Sequence, residues 1–171
     1  MSKGGRVSRE PLKLRAIDSD DLDVLGAFLQ DALVPVCDMQ FIPNERRFVL
    51  VANRFCWERV DFSDKPADGA QKIDGIDEKP VFERVLCGIT FENVEKTKIR
   101  GFSQAAARDD DQILEVLDIQ VEGNALTLIF SGDAAVCLEV AGIDIFAQDM
   151  GEFWPTLRQP HHPDEDAPYR S

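Results

Sequence analysis

One segment mixes charge into an apolar strand, and chemistry is sought there first: Glu45-Arg46-Arg47-Phe48-Val49-Leu50-Val51-Ala52-Asn53-Arg54-Phe55-Cys56-Trp57-Glu58-Arg59. Strand alternation puts Arg54 on one face with Phe48, Leu50 and Cys56, and Asn53 on the other with Val49, Val51, Phe55 and Trp57. A guanidinium among apolar side chains needs a partner once it is buried, and its planar fork matches a carboxylate or a phosphate. Two readings follow. In one, Arg47, Asn53, Arg54 and Trp57 line a groove that binds an anion or a partner. In the other, Arg54 pairs internally with a carboxylate, from Glu58 or a strand neighbour, and fixes the register of the sheet.

Other chemistries are excluded by residue type and spacing. The two histidines, His161 and His162, are adjacent and sit between prolines near the C-terminal end. With none in the body of the chain, Ser-His-Asp and Cys-His pairs and imidazole-rich zinc sites are not expected. Cys37, Cys56, Cys87 and Cys137 are widely separated and lie in apolar, strand-like stretches, with no C-x-x-C. They read as reduced cysteines acting as small hydrophobes rather than as a metal or redox set. No Gly-x-x-x-x-Gly-Lys-Ser/Thr loop is found, nor a Gly-x-Gly-x-x-Gly after a strand. Asp109-Asp110-Asp111 lacks the ligand spacing of a calcium loop and reads as a solvated charge run. No cofactor and no metal is expected.

These residues must be carried by a fold of 171 residues and 19.2 kDa, 44% hydrophobic and 30% charged, enough for one buried core. The net charge of −13 argues against nucleic acid as a partner. No apolar run reaches the roughly 18 residues of a membrane span. The start carries basic residues with no apolar stretch after them, unlike a signal peptide. A cytoplasmic protein without membrane contact is the expectation. Residues 1–11, with Lys3, Arg6 and Arg9, read as a disordered basic arm, 12–157 as one α+β domain, and 158–171 as a disordered tail. Charge is segregated: between Gly101 and Leu157 stand eleven acids and one base, Arg108.

Periodicity orders the elements. Leu12 to Ile17 alternates as a strand. A helix follows, capped by Asp18 or Ser19, with Leu22, Leu25, Leu29, Ala32 and Leu33 on one face, and Val34-Pro35 closes it. Residues 36–59 form a hairpin turning at Pro43-Asn44-Glu45-Arg46, and 61–80 are a surface loop. Glu83 to Phe91 and Val94 to Arg100 form a second strand pair, with a further loop over 101–112.

Gly123-Asn124 as a two-residue turn opposes Val121 to Leu126, Ile119 to Leu128 and Leu117 to Phe130. A three-residue turn at Ser131-Gly132-Asp133 then opposes Phe130 to Ala134, Leu128 to Val136 and Leu126 to Leu138. Ile143, Phe146, Ala147 and Met150 at helical spacing predict a closing helix over 143–150, with Gly151 as its left-handed cap. The fold expected is therefore mostly antiparallel sheet, about seven to eight strands, with one N-terminal and one C-terminal helix. That order resembles a pleckstrin-homology-like roll; a generic antiparallel layer or barrel is the alternative.

Leu29-Gln30-Asp31-Ala32, Arg46-Arg47-Phe48, the Asn53-to-Glu58 run, Leu138-Glu139-Val140, Asp149-Met150-Gly151 and Trp154-Pro155-Thr156 resemble a family of uncharacterised bacterial proteins common in the alpha-proteobacteria. The likeness covers residues 12–157, and the Asn-Arg-Phe-x-Trp-Glu run is its most specific part. The long 61–80 loop and the Asp109–Asp111 run depart from it. The resemblance implies a small cytoplasmic protein with no assigned activity, cofactor or catalytic residue.

The leading functional reading is a binding or accessory module that makes protein–protein contacts, including self-association, through a sheet face or edge near Arg54 and Trp57. The alternative is a small enzyme without histidine, using a carboxylate base and Arg47 or Arg54 as an anion site.

Overall fold

Asp18 opens the only α-helix among the described residues: its carboxylate accepts the Asp21 N–H at 2.8 Å, and Asp20 and Asp21 lie at the positive end of the dipole. This helix, α1 (Ser19–Leu29), turns Leu22, Leu25 and Leu29 into the core. It stops at Leu29, short of Val34-Pro35, because Asp31 takes a left-handed φ of 62° and Leu33 already belongs to a strand. The computed structural model describes residues 10–59, 82–103 and 112–156. The readings placed on 1–9, on the 61–80 loop, on Asp109–Asp111 and on the C-terminal histidines fall outside them.

Around α1 lie β1 (Lys13–Ala16), β2 (Leu33–Pro35), β3 (Met39–Ile42), β4 (Arg47–Phe55), β5 (Phe82–Phe91), β6 (Val94–Arg100), β7 (Ile113–Glu122), β8 (Ala125–Phe130), β9 (Ala135–Val140) and β10 (Ile145–Thr156). They make one open sheet in the order β1-β10-β5-β4-β2-β7-β8-β9-β6, with β3 added beside β4. Every pairing is antiparallel. Inward residues from both halves, among them Phe48, Ile89, Phe91, Leu128, Phe130 and Leu138, meet in one cluster, so the sheet curls round a single core. The fold class is α+β, as expected, but with ten strands rather than seven to eight and one helix rather than two.

Three expectations are corrected. The closing helix is strand β10. Ile143, Phe146, Ala147 and Met150 fit a helical stripe, yet Ile145, Ala147 and Asp149 also alternate with Phe146, Gln148 and Met150, and the second pattern fills the edges of both β1 and β5. Gly151 does adopt a left-handed φ of 75°, in the register shift between Met150 and Trp154 rather than at a helix end. Without that helix the roll has no plug of the pleckstrin-homology kind. Second, β5 and β6 do not pair with each other: β4 and β10 occupy both edges of β5, and β6 pairs with β9. Third, Phe130 opposes Val116 instead of Leu117, since β7 shifts register between Val116 and Asp118 and leaves Leu117 46% exposed.

The remaining meander registers hold. Val121 opposes Leu126, Ile119 opposes Leu128, Leu128 opposes Val136 and Leu126 opposes Leu138. Gly123, at φ 60°, occupies the first turn position, the one that only glycine takes without strain.

Candidate functional site

On β4 the residues Phe48, Leu50, Ala52 and Arg54 face inward, and Arg54 has 0% exposure. Its guanidinium is held from two sides. Nε and Nη2 donate to Asp149 Oδ1 and Oδ2 at 3.0 and 2.7 Å, and Nη1 and Nη2 donate to Glu58 Oε2 and Oε1, each at 2.9 Å. Asp149 comes from β10, two strands away. In register it stands opposite Cys87 of β5, which stands opposite Ala52 of β4. The small Ala52 and Cys87 leave the space through which the arginine passes beneath β5. Asp149 also accepts the Leu12 N–H at 2.8 Å, so one carboxylate ties β4, β10 and the entry to β1 together.

Electrostatics follow from this geometry. Burial opposes the charge on Arg54, but its hydrogen bonds to the Glu58 and Asp149 carboxylates, with their negative charge, outweigh it and hold the group above its ordinary range. Burial pushes the Cys87 thiol up to about 12, helped by the Asp149 charge and opposed by that of Arg54. It is a protonated filler on the strand between those that carry the pair.

The four candidate side chains do not converge. Arg47 sits at the start of β4, about 20 Å along the strand from Asn53 at ~3.3 Å per residue, and is paired with Glu92 and Glu45, both at 2.9 Å. Asn53 lies on the outer face, where its side-chain and main-chain oxygens accept from Arg84 Nη1 at 3.4 and 3.2 Å. Trp57 follows β4 in a short 3-10 turn, packs on Phe55 with ring centroids 4.6 Å apart, and donates its indole N–H to the Gln30 carbonyl at 2.9 Å, which anchors the end of α1. Arg84 also lies 5.5 Å over the Phe55 ring, so Asn53, Arg84, Phe55 and Trp57 form one connected group. Arg54 lies on the other side of the sheet from Asn53. The enzyme alternative needs Arg47 or Arg54 in a concave site; Arg54 meets no solvent, and the cleft of about 540 Å³ between α1 and β7 is lined by neither.

Asp149 and Arg84 were not singled out from sequence. The misread helix hid Asp149. The available signal was the alternation of Ile145, Ala147 and Asp149, which places one acid inward just where Arg54 requires one. Among the described residues no group of three or more His, Cys, Asp or Glu could hold a metal ion, the four cysteines form no disulfide, and no helix is long and apolar enough to cross a membrane.

Above the buried ion cluster, the outer face of the same strands is laid out in rows by register. Arg15, Phe146, Thr90, Val49 and Gln40 cross β1, β10, β5, β4 and β3. Lys13, Gln148, Gly88 and Val51 form the next row, and Met150, Leu86 and Asn53 the third. Phe146 and Leu86 are each 42% exposed and Met150 41%. Met150 lies across Gly88, its sulfur 3.1 Å from where a Cβ would stand. The Arg15 guanidinium sits 5.1 Å over the Phe146 ring while bonding Asp144.

The fold and site thus define a class: an antiparallel sheet with one α-helix, an internally paired arginine, and an outer face on which Leu86, Phe146 and Met150 are exposed. The chain belongs to the family described as protein of unknown function DUF2948, whose model matches residues 12–162. No curated protein and no solved structure matches the chain.

Proposed function

We propose that the protein is a binding module of the cytoplasm that acts through protein–protein contacts made by the outer face of β4, β5 and β10. The observation that carries this reading is the exposure of Leu86, Phe146 and Met150 on adjacent strands, with α1 directed into the core and no described helix lying over them. Contiguous exposed apolar surface of this kind marks interaction sites in soluble proteins. Arg54 serves it from beneath, by holding β4 and β10 at fixed spacing, and Arg47 and Asn53 bound it along β4. Four cysteines that form no disulfide suit a reducing compartment, and the net charge of −13 disfavours nucleic acid as the partner.

The test is capture from a native lysate with wild type and with a Leu86→Lys/Phe146→Lys variant. Both substitutions are at half-exposed positions, so stability should change by no more than about 1 kcal/mol in total. The expected result is a partner retained by wild type and lost by the folded variant. Equal recovery by both, or turnover of a small molecule with no partner recovered, overturns the proposal.

A further inference from the structure

A second surface, on the other flank of the sheet, has a different character. The outer edge of β7 pairs with β2 only over Ile113–Glu115, and two further main-chain bonds link Val116 to Asp31 and Ala32. Beyond Val116 no described strand occupies that edge. The two-residue turn makes Glu122 and Ala125 a bonded pair, so alternation directs the N–H and C=O groups of Val121 and Ile119 away from β8. Ile119 bears this out: its N–H is taken by the carboxylate of Asp118 at 2.8 Å, not by β8. The cleft of about 540 Å³ runs along this edge, touching every residue from 118 to 122 and, across from them, Ser19, Leu22 and Asp23 of α1. A cleft that meets consecutive strand residues, whose side chains point to both faces, follows the edge rather than a face.

We infer that this cleft takes an extended, basic peptide segment of a partner protein, which adds to β7 as an antiparallel strand. Ile119 and Val121 offer the backbone donors and acceptors, and α1 forms the opposite wall. Charge selects the occupant: Asp23, Asp118 and Glu122 line the cleft and no basic residue does. Directly opposed residues share a face. Cations four positions apart in the peptide therefore meet Asp118 and Glu122, and the two apolar residues between them meet Ile119 and Val121. Asp118 now occupies the place of an incoming carbonyl and gives up the Ile119 N–H on binding. A second copy is disfavoured, because copies at −13 repel, two β7 edges would set acid against acid, and any other edge seated here makes a head-to-tail contact, which builds rings or open chains rather than a two-fold dimer.

The proposal is independent of the outer apolar face, and its probe is a capped Lys-Val-Thr-Val-Lys peptide titrated into the full chain and followed by amide chemical shifts. Expected are saturable shifts confined to 118–122 and the first turn of α1, and no binding of the peptide with Glu in place of Lys. Asp118→Lys/Glu122→Lys should weaken binding at least about tenfold. N-methylation of both valines should do the same by removing the strand bonds, while N-methylation of the threonine, whose N–H points away from β7, leaves affinity unchanged. The methylated probes leave the protein untouched, so folding does not confound them. No saturable binding, equal binding of the Glu peptide, indifference to valine methylation, or a self-associated protein in which the Ile119 and Val121 amides are already protected each overturns it.

Discussion

Removing the Asp149 carboxylate tests the reasoning about the buried ion cluster, and its cost can be worked from the geometry. Arg54 is wholly buried and donates two hydrogen bonds to Asp149 and two to Glu58. Breaking a buried ion pair by deleting one partner costs about 3–5 kcal/mol, mostly the penalty of an uncompensated charge. Glu58 remains beside Arg54 but is about a third exposed, which places the loss at the lower end, ~3 kcal/mol. The Leu12 N–H also loses its acceptor, a further ~1 kcal/mol. Asp149→Ala should therefore lose about 3–4 kcal/mol in urea unfolding, as a lower midpoint at unchanged slope, and its Tm should fall by roughly 10 °C. Arg54→Met/Asp149→Leu should lose less than Asp149→Ala alone, because Glu58 can turn to water and no charge is left stranded. An Asp149→Ala variant within ~0.5 kcal/mol of wild type, or losses at the two positions that simply add, would refute the account.

Two further outcomes are expected of the fold. Gly101→Ala puts a Cβ 2.8 Å from the Ala134 Cα at a φ of +84° and should cost at least ~1–3 kcal/mol, whereas Gly26→Ala, in the helix with open space around it, should gain about 0.5–1 kcal/mol; urea midpoints measure both. Alkylation followed by mass spectrometry at pH 8 should label exposed Cys37 in the native protein and spare Cys87 until unfolding. The Cys87 thiol is pushed up to about 12 from an ordinary 9.0, so the stability it contributes is intact below about pH 9 and is lost as pH rises toward 12. Wild type should lose more stability between pH 8 and 11 than Cys87→Ala does.

What could be read from the chain was what local chemistry decides. α1 was legible because Asp18 caps it and three leucines line one face. The β8–β9 register was legible because only one turn length keeps Glu139 away from the core. Leu117 was misassigned because a register shift in β7 carries no composition signal of its own. The C-terminal segment was misread because eight residues satisfied both periods, and the deciding facts, vacant edges on β1 and β5 and an unpaired guanidinium on β4, lie more than fifty residues away in sequence. For the same reason Arg54 could be recognised as needing a carboxylate, while its principal partner could not be named.

Edge chemistry joins these observations. The sheet ends on β1, which carries Lys13 and Arg15, and on β6, which exposes Lys96, Lys98 and Arg100. Charged side chains on terminal strands discourage pairing between sheets. The open stretch of β7 is guarded differently: its neighbours are acids, and Asp118 occupies the Ile119 N–H with its own side chain. A bond within adjacent residues is exchanged at little cost, since the carboxylate regains water or a cation as it leaves. The two terminal edges therefore repel a basic strand that the β7 edge would welcome. If the cationic edges arose only to keep the protein soluble, the same sign would be expected at β7, and it is the opposite.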